Sequence, residues 1–212
     1  MTRIIRSLLV AFVLSAGVLA AAVLSAVPAR AVSIERVVSP GGIEAWLVRD
    51  HSNPIISMRF AFRGGAALDP ANRVGLANFA ASTLDEGAGD IDSTAFQGKL
   101  EDLVITIRFS AGRDAFTGRL VTLTENRDTA FNLLSLALTK PRFDSEPVER
   151  IRGQLLAEIR QDTENPGAIA GKTLFKTLFP SHPYGLPTAG FKDDVSAITR
   201  ADLKSFTTER LA

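Results

Sequence analysis

Strand-like and helix-like segments alternate in pairs along this chain, and that order constrains its fold more than any other feature. Two strand candidates, 42–50 and 54–62, are joined by a His-Ser-Asn sequence typical of a turn, which predicts a hairpin. Two helix candidates follow, then a second strand pair at 104–111 and 115–124, and then four more helices. Since strands that are consecutive in sequence favour antiparallel pairing, the order predicts a single domain of the α+β class.

Capping residues mark where the predicted helices begin. Asp92 and Thr199 are each expected to cap a helix that starts at the next residue. Asp144 is expected to cap a longer helix, because Pro147 then occupies the first turn, where a missing N–H costs nothing.

The N-terminus has the pattern of an export signal. Arg3 and Arg6 precede an apolar run at 7–27, and the small residues before and at Ala31 suit cleavage there. The run is also about as long as the roughly twenty residues that a membrane span needs. The pattern therefore predicts a periplasmic protein, with an uncleaved inner-membrane anchor as the alternative.

The resulting division of the chain is a signal peptide at 1–31 and an exported domain at 32–212. The chain has no cysteine, so this domain must be stabilised by its packed core rather than by disulfides. Its 24 basic and 23 acidic residues nearly cancel, which gives no broad positive field. We therefore expect no nucleic-acid partner, and membrane contact only if the signal segment is uncleaved.

One helix candidate, from Val74 to Glu86, has the frame of a metal motif without its ligands. Its apolar side is formed by Leu76, Phe79, Ala80, Thr83 and Leu84, and its polar side by Asn78, Ala81, Ser82 and Asp85. Side chains at helix positions i, i+3 and i+4 can converge on one metal ion, as in paired-histidine zinc motifs. Here those positions hold Asn78, Ala81 and Ser82.

In this frame the chain resembles the insulinase/pitrilysin family of zinc metallopeptidases, which includes the mitochondrial processing peptidases. Family members carry Gly-x-Ala-His-Phe-x-Glu-His, and residues 75–82 match this motif with all three reactive residues replaced. Glu158 lies in a segment similar to the one that bears the third zinc ligand. Further landmarks of the family are matched at 165–166, 181–187 and 199–206. The resemblance implies a half-domain in which helices cover one face of an antiparallel sheet.

The replaced residues favour a non-catalytic protein. Asn78 is at best a weak zinc ligand, Ala81 cannot act as a base, and Ser82 offers only a neutral hydroxyl. The two histidines of the chain, His51 and His182, are far apart in sequence and cannot supply the missing pair. The resemblance implies zinc in active relatives, but we expect no cofactor and no peptidase activity in this chain.

What the resemblance implies instead is a partner role. Some family members with degenerate metal sites pair with a catalytic subunit and help to bind its substrate. We therefore expect a catalytic insulinase-family partner or a homo-oligomer, with a peptide or unfolded polypeptide as ligand. Two alternatives stay open: an active metalloendopeptidase with an atypical site around Asn78, Asp85 and Glu158, and a non-functional remnant. Because the family half-domain continues past the last predicted helix, the resemblance also implies truncation at the C-terminus.

Several other residues have simple structural interpretations. Trp46 and Phe60 are predicted core residues of strands, and His182 is predicted to form a turn. Arg108 and Arg113 flank the second strand pair, where they could contact an acidic partner. Asp85 and Glu86 form a negatively charged helix end, and the carboxylate of Glu158 is expected to reach solvent or a basic neighbour.

Overall fold

The computed structural model describes residues 33–211, which belong to two compact units divided after Ser52. In the first unit, β1 (Ile34–Val38) and β2 (Glu44–Val48) form an antiparallel hairpin. Among the described residues, no helix is long and apolar enough to cross a membrane. The predicted signal segment lies outside the described residues, and the predicted boundary after Ala31 stays a prediction.

The hairpin predicted between 42–50 and 54–62 is wrong. β2 pairs with β1, which the sequence patterns missed, and the turn between them uses Gly42 at a φ of 83°. A positive φ is readily adopted only by glycine, so this turn outcompetes the His-Ser-Asn sequence as the hairpin connection. Trp46 is 77% exposed on β2, which contradicts its predicted core position. A two-stranded ribbon has no second layer of its own to bury such a side chain.

The second unit contains a three-stranded antiparallel sheet in the order β3-β5-β4. Its strands are β3 (Ile55–Arg63), β4 (Thr106–Ala111) and β5 (Ala115–Leu123). The helices are α1 (Leu76–Thr83), α2 (Ser93–Asp102), α3 (Arg127–Thr139), α4 (Ser145–Gln161), α5 (Pro166–Leu178), α6 (Lys192–Ala197) and α7 (Arg200–Arg210). The predicted α+β class and the second strand pair are confirmed; the short helix α6 was not predicted.

Two of the three predicted caps are confirmed. The Asp92 carboxylate accepts a hydrogen bond from the Ala95 N–H at 2.9 Å, and the Thr199 hydroxyl accepts one from the Asp202 N–H at 3.2 Å. Asp144 precedes α4 but does not cap it with its side chain. Its carboxylate instead accepts a hydrogen bond from the Arg142 Nε at 2.6 Å, because a charged guanidinium competes well with a backbone N–H.

Helices cover one face of the three-stranded sheet, as predicted. Strand side chains alternate, so Phe116 and Leu120 of β5 are fully buried against helices while the residues between them face the other way. The Phe116 and Phe206 rings lie 5.4 Å apart between their centres and join the sheet to α7. Gly118 stands opposite both Phe60 and Phe109, and a Cβ there would lie 2.0 Å from the Phe60 ring. Phe60 is thereby half-buried on the covered face, consistent with its predicted place in the core.

Candidate functional site

Helix α1 carries the three positions where a zinc motif would place its reactive side chains. Phe79 and Ala80 are fully buried on the core side of the helix, as the apolar pattern predicts. Ala81 was predicted on the polar side but is only 4% exposed, because the helix is packed against the sheet as well as against other helices. The polar surface of α1 is therefore narrower than the sequence suggested.

Two of the three motif positions carry polar side chains. Asn78 and Ser82 are half-buried, and the Ser82 hydroxyl donates a hydrogen bond to the Asn78 carbonyl at 2.9 Å. Such a bond back to the preceding turn is the usual way for a helical serine to satisfy its hydroxyl. Ser82 thus uses its only donor within the helix.

The start of α1 is held by Asp69, which lies seven residues before the helix. The Asp69 side chain is 1% exposed and accepts hydrogen bonds from the N–H groups of Gly75 and Ala77. It also pairs with Arg210 of α7 at 3.1 Å. Burial raises the pKa of the Asp69 carboxyl, and the hydrogen bonds and Arg210 offset part of this increase. Asp69 thus satisfies the free N–H groups at the helix start, where Gly75 offers no side chain.

A cleft of about 610 Å³ opens beside Ala81 and Ser82. It is bordered by the end of α1, by α2, by β4 and by one residue of α4: Asp85, Glu86, Ser93, Gln97, Arg108 and Arg150. Neither Asn78 nor Glu158 belongs to its lining. The cleft therefore does not combine the motif positions with the predicted third ligand.

Two acidic residues of this cleft, Asp85 and Glu86, are each paired with an arginine. Asp85 accepts from Arg108 at 3.1 Å, and Glu86 accepts from Arg150 at 2.5 Å and from the Ser93 hydroxyl at 2.6 Å. Burial raises the pKa of Asp85, and the backbone and the Arg108 guanidinium offset part of this increase. The predicted negatively charged helix end is thus neutralised. Arg150 was missed because its partner lies 64 residues away in sequence.

The residues present do not fit a zinc site. Glu158 is exposed on α4, and its carboxylate makes no hydrogen bond or ion pair with any other residue of 33–211. Across this described part of the chain, no group of three His, Cys, Asp or Glu side chains could hold a metal ion. An atypical site at Asn78, Asp85 and Glu158 gains no support, because Asp85 is already paired with Arg108.

The two histidines also lack catalytic surroundings. His51 is exposed in the first unit. His182 forms the predicted turn, since its Nδ1 accepts a hydrogen bond from the Tyr184 N–H at 3.2 Å. Arg113, which could contact an acidic partner on the sequence alone, stacks over the Phe175 ring at 3.6 Å and donates to the Tyr184 carbonyl.

Comparisons with known proteins point to one group of peptidase relatives, although no family model matches the chain. The chain is 30% identical over 155 residues to the non-peptidase homolog YmxG of Helicobacter pylori. This match covers 73% of the chain and 36% of YmxG. The chain is also 28% identical over 194 residues to the uncharacterized zinc protease ML0855 of Mycobacterium leprae, covering 86% of the chain and 41% of that protein.

Solved structures give the same picture. The inactive domain of a peptidase M16 from Pseudomonas fluorescens has a TM-score of 0.80 at 27% identity, over 85% of this chain and 44% of that one. A protease from Helicobacter pylori shares the fold, with a TM-score of 0.74 at 18% identity over 84% and 43% of the two chains. The chain thus spans less than half the length of each relative. Two of the four names describe proteins without peptidase activity, in agreement with the prediction of a non-catalytic chain.

Proposed function

Because the chain belongs to the M16 (insulinase-like) peptidase family as an inactive half-domain, we propose that it is exported and serves as a non-catalytic partner subunit. The partner in this proposal is a catalytic zinc peptidase of the same family. The chain would contribute binding surface to the assembly rather than chemistry.

One observation carries this proposal: α1 keeps its packing but has no reactive side chain at the motif positions. Phe79 is fully buried and Asp69 anchors the helix start, so the scaffold is intact. Ala81 and Ser82 cannot replace a base and a zinc ligand. A domain that retains such a scaffold without its chemistry can still act by binding.

The exposed surface of helix α5 is a second observation that favours a protein interface. None of its thirteen residues is buried, although the helix is rich in apolar side chains. Ile169, Leu174 and Leu178 are 46%, 54% and 61% exposed. A helix with so much exposed apolar surface is typical of a protein–protein contact. Leu174 and Leu178 are one helical turn apart and lie on the same side of α5, and we assign the surface around these two side chains to the catalytic partner.

The export half of the proposal depends on the sequence. Arg3 and Arg6 before the apolar run at 7–27 have the composition of a secretory signal. N-terminal sequencing of the chain from the periplasmic fraction would test this: a new N-terminus at Val32 is expected, and a cytoplasmic chain starting at Met1 would contradict export.

Co-expression tests the partner role directly. The full chain is produced with a full-length catalytic M16 member from the same cell, and the purified mixture is analysed by light scattering at micromolar concentrations. We expect a complex with the summed mass of the two subunits. Separate elution of two folded proteins would contradict the proposal.

Variants on α5 locate the interface. Leu174→Glu and Leu178→Glu should each abolish the complex, because a charge is placed in the centre of an apolar contact. Thr173→Glu is the matched control, since Thr173 is exposed on the same helix but lies on a different side. If all three substitutions weaken the complex equally, or if none does, the interface is not centred on Leu174 and Leu178.

A further inference from the structure

The uncovered face of the three-stranded sheet carries a row of arginines. Arg59 of β3 stands directly opposite Arg119 of β5, and Arg119 stands directly opposite Arg108 of β4. All three are exposed. Directly opposed residues of antiparallel strands are about 5 Å apart at Cα, so the Cα atoms of the three arginines span roughly 10 Å. We call Arg59, Arg119 and Arg108 the arginine row.

The positive charge of the arginine row is offset by almost no carboxylates. The three strands together contain four arginines and no acidic residue, and the fourth, Arg63, is exposed as well. Arg108 uses one Nη atom to pair with Asp85 at 3.1 Å. Arg59 and Arg119 have neither an ion pair nor a hydrogen bond from their side chains to any residue of 33–211.

Stability and solubility do not explain this arrangement. Like charges directly opposite each other destabilise a sheet. Charges on edge strands are a common protection against aggregation, which accounts for Arg59 and Arg108 on β3 and β4. It does not account for Arg119, which lies on the central strand between them. A ligand that bonds Arg119 together with Arg59, and with the donors that Arg108 has left, does account for it.

We infer that the arginine row binds an acidic polypeptide segment in an extended conformation. In an extended chain, every second side chain is on the same side, about 7 Å apart, so alternate carboxylates can reach successive guanidinium groups. Arginine donors suit carboxylates because two N–H groups can bond one carboxylate. A shallow depression of about 510 Å³, bordered by the row and by the Ser110 and Thr117 hydroxyls, leaves space for the peptide.

A polypeptide is favoured over a nucleic acid. Non-specific single-strand binding combines positive charge with aromatic side chains that stack on bases. The exposed positions of the three strands carry no aromatic residue, and the whole chain has a net charge of only +1. This inference extends the proposed function but does not depend on a catalytic partner, since the chain alone should bind the peptide.

Fluorescence anisotropy with the full chain tests the inference. The probe is a labelled eight-residue peptide of alternating Glu and Thr, and its control replaces each Glu by Gln. At low ionic strength we expect binding of the Glu peptide only. Arg59→Gln and Arg119→Gln should each weaken it about fivefold, the upper range for one exposed ion pair. Arg127→Gln, which removes an exposed arginine from α3, should leave it unchanged.

The two row variants should remain folded, because they remove like-charge repulsion rather than a contact. Thermal unfolding checks this before binding is compared. Equal affinity of the Glu and Gln peptides would overturn the inference, as would full affinity in both row variants. Tighter binding of a single-stranded oligonucleotide, or of vesicles rich in phosphatidylglycerol, would assign the row to phosphate rather than to carboxylate. If the catalytic subunit binds but the peptide does not, the proposed function stands without this inference.

Discussion

Two polar surfaces of the second unit differ in how their charges are satisfied. Around the end of α1, Asp85 and Glu86 are each paired with an arginine, and Ser82 bonds within its own helix. On the uncovered face of the sheet, Arg59 and Arg119 have no ionic partner in the described chain. These groups of the first surface bond to partners within the protein, as expected of a structural element. The second surface retains like charges that weaken the fold.

We therefore interpret the surface around α1 as the remnant of a lost site and the arginine row as a candidate binding site. The contacts around α1 are fully explained by folding stability, so they require no ligand. The arginine row costs stability and therefore requires another explanation. Four substitutions test how these residues contribute to stability, in order of decreasing effect.

Phe79→Ala should have the largest effect, because Phe79 is fully buried where α1 meets the core. Loss of a buried phenyl ring lowers the free energy of unfolding by about 3–5 kcal/mol. Urea denaturation followed by circular dichroism measures the change. The control Asn78→Ala, on the half-buried side of α1, should change it by less than about 0.5 kcal/mol. Similar losses in both variants would contradict the division of α1 into a core side and an emptied side.

Glu86→Ala should lower the free energy of unfolding by about 0.5–1.5 kcal/mol, the usual net contribution of a hydrogen bond, because the nearly buried Glu86 carboxylate bonds a half-exposed Arg150. The substitution deprives both Arg150 and Ser93 of their acceptor. Asp90→Ala, at an exposed position on the following turn, is the control. If Glu86→Ala and the control gave the same free energy of unfolding, the ion pair of Glu86 would not contribute to stability.

Arg119→Gln should act in the opposite direction. Removal of the central charge of the row relieves two like-charge contacts and should raise the free energy of unfolding by about 0.2–1 kcal/mol. High salt should reduce the difference from the unmodified chain, since exposed charges are screened. Arg127→Gln should leave the melting temperature unchanged. A destabilised Arg119→Gln variant would show that the row contributes to folding and needs no ligand.

The smallest effect depends on pH. Burial raises the pKa of Asp202, but hydrogen bonds from Thr199 and the nearby Arg73 bring the net pKa below the ordinary 3.8. The stability from this carboxylate is therefore present above pH 3.8 and is lost as pH falls through the folded-state pKa. Asp202→Asn should accordingly be destabilising at pH 6, and less so near pH 2. A difference that stays constant with pH would contradict this role of Asp202.

The sequence predicted those features that depend on neighbouring residues. The cap at Thr199 and the second strand pair lie within one short segment, and both are confirmed. The burial of Phe79 also follows from helical spacing alone. The family resemblance, based on several short landmarks in order, gave the layered half-domain.

Features set by distant partners escaped prediction. Trp46 has a strand pattern typical of a core residue, yet no other element of residues 33–52 covers its hairpin. Arg119 looks like an isolated exposed arginine until the register places Arg59 and Arg108 beside it. Strand register depends on tertiary packing, so neither the row nor the Glu86–Arg150 pair could be found from spacing.

Zinc content tests most directly whether α1 is a scaffold helix without a metal site. The full chain is incubated with excess zinc, dialysed against metal-free buffer and analysed by plasma mass spectrometry, with peptide cleavage measured on the same sample. We predict far less than one zinc per chain and no cleavage. One zinc per chain, removed by a chelator together with peptidase activity and lost in Glu158→Gln, would contradict the account.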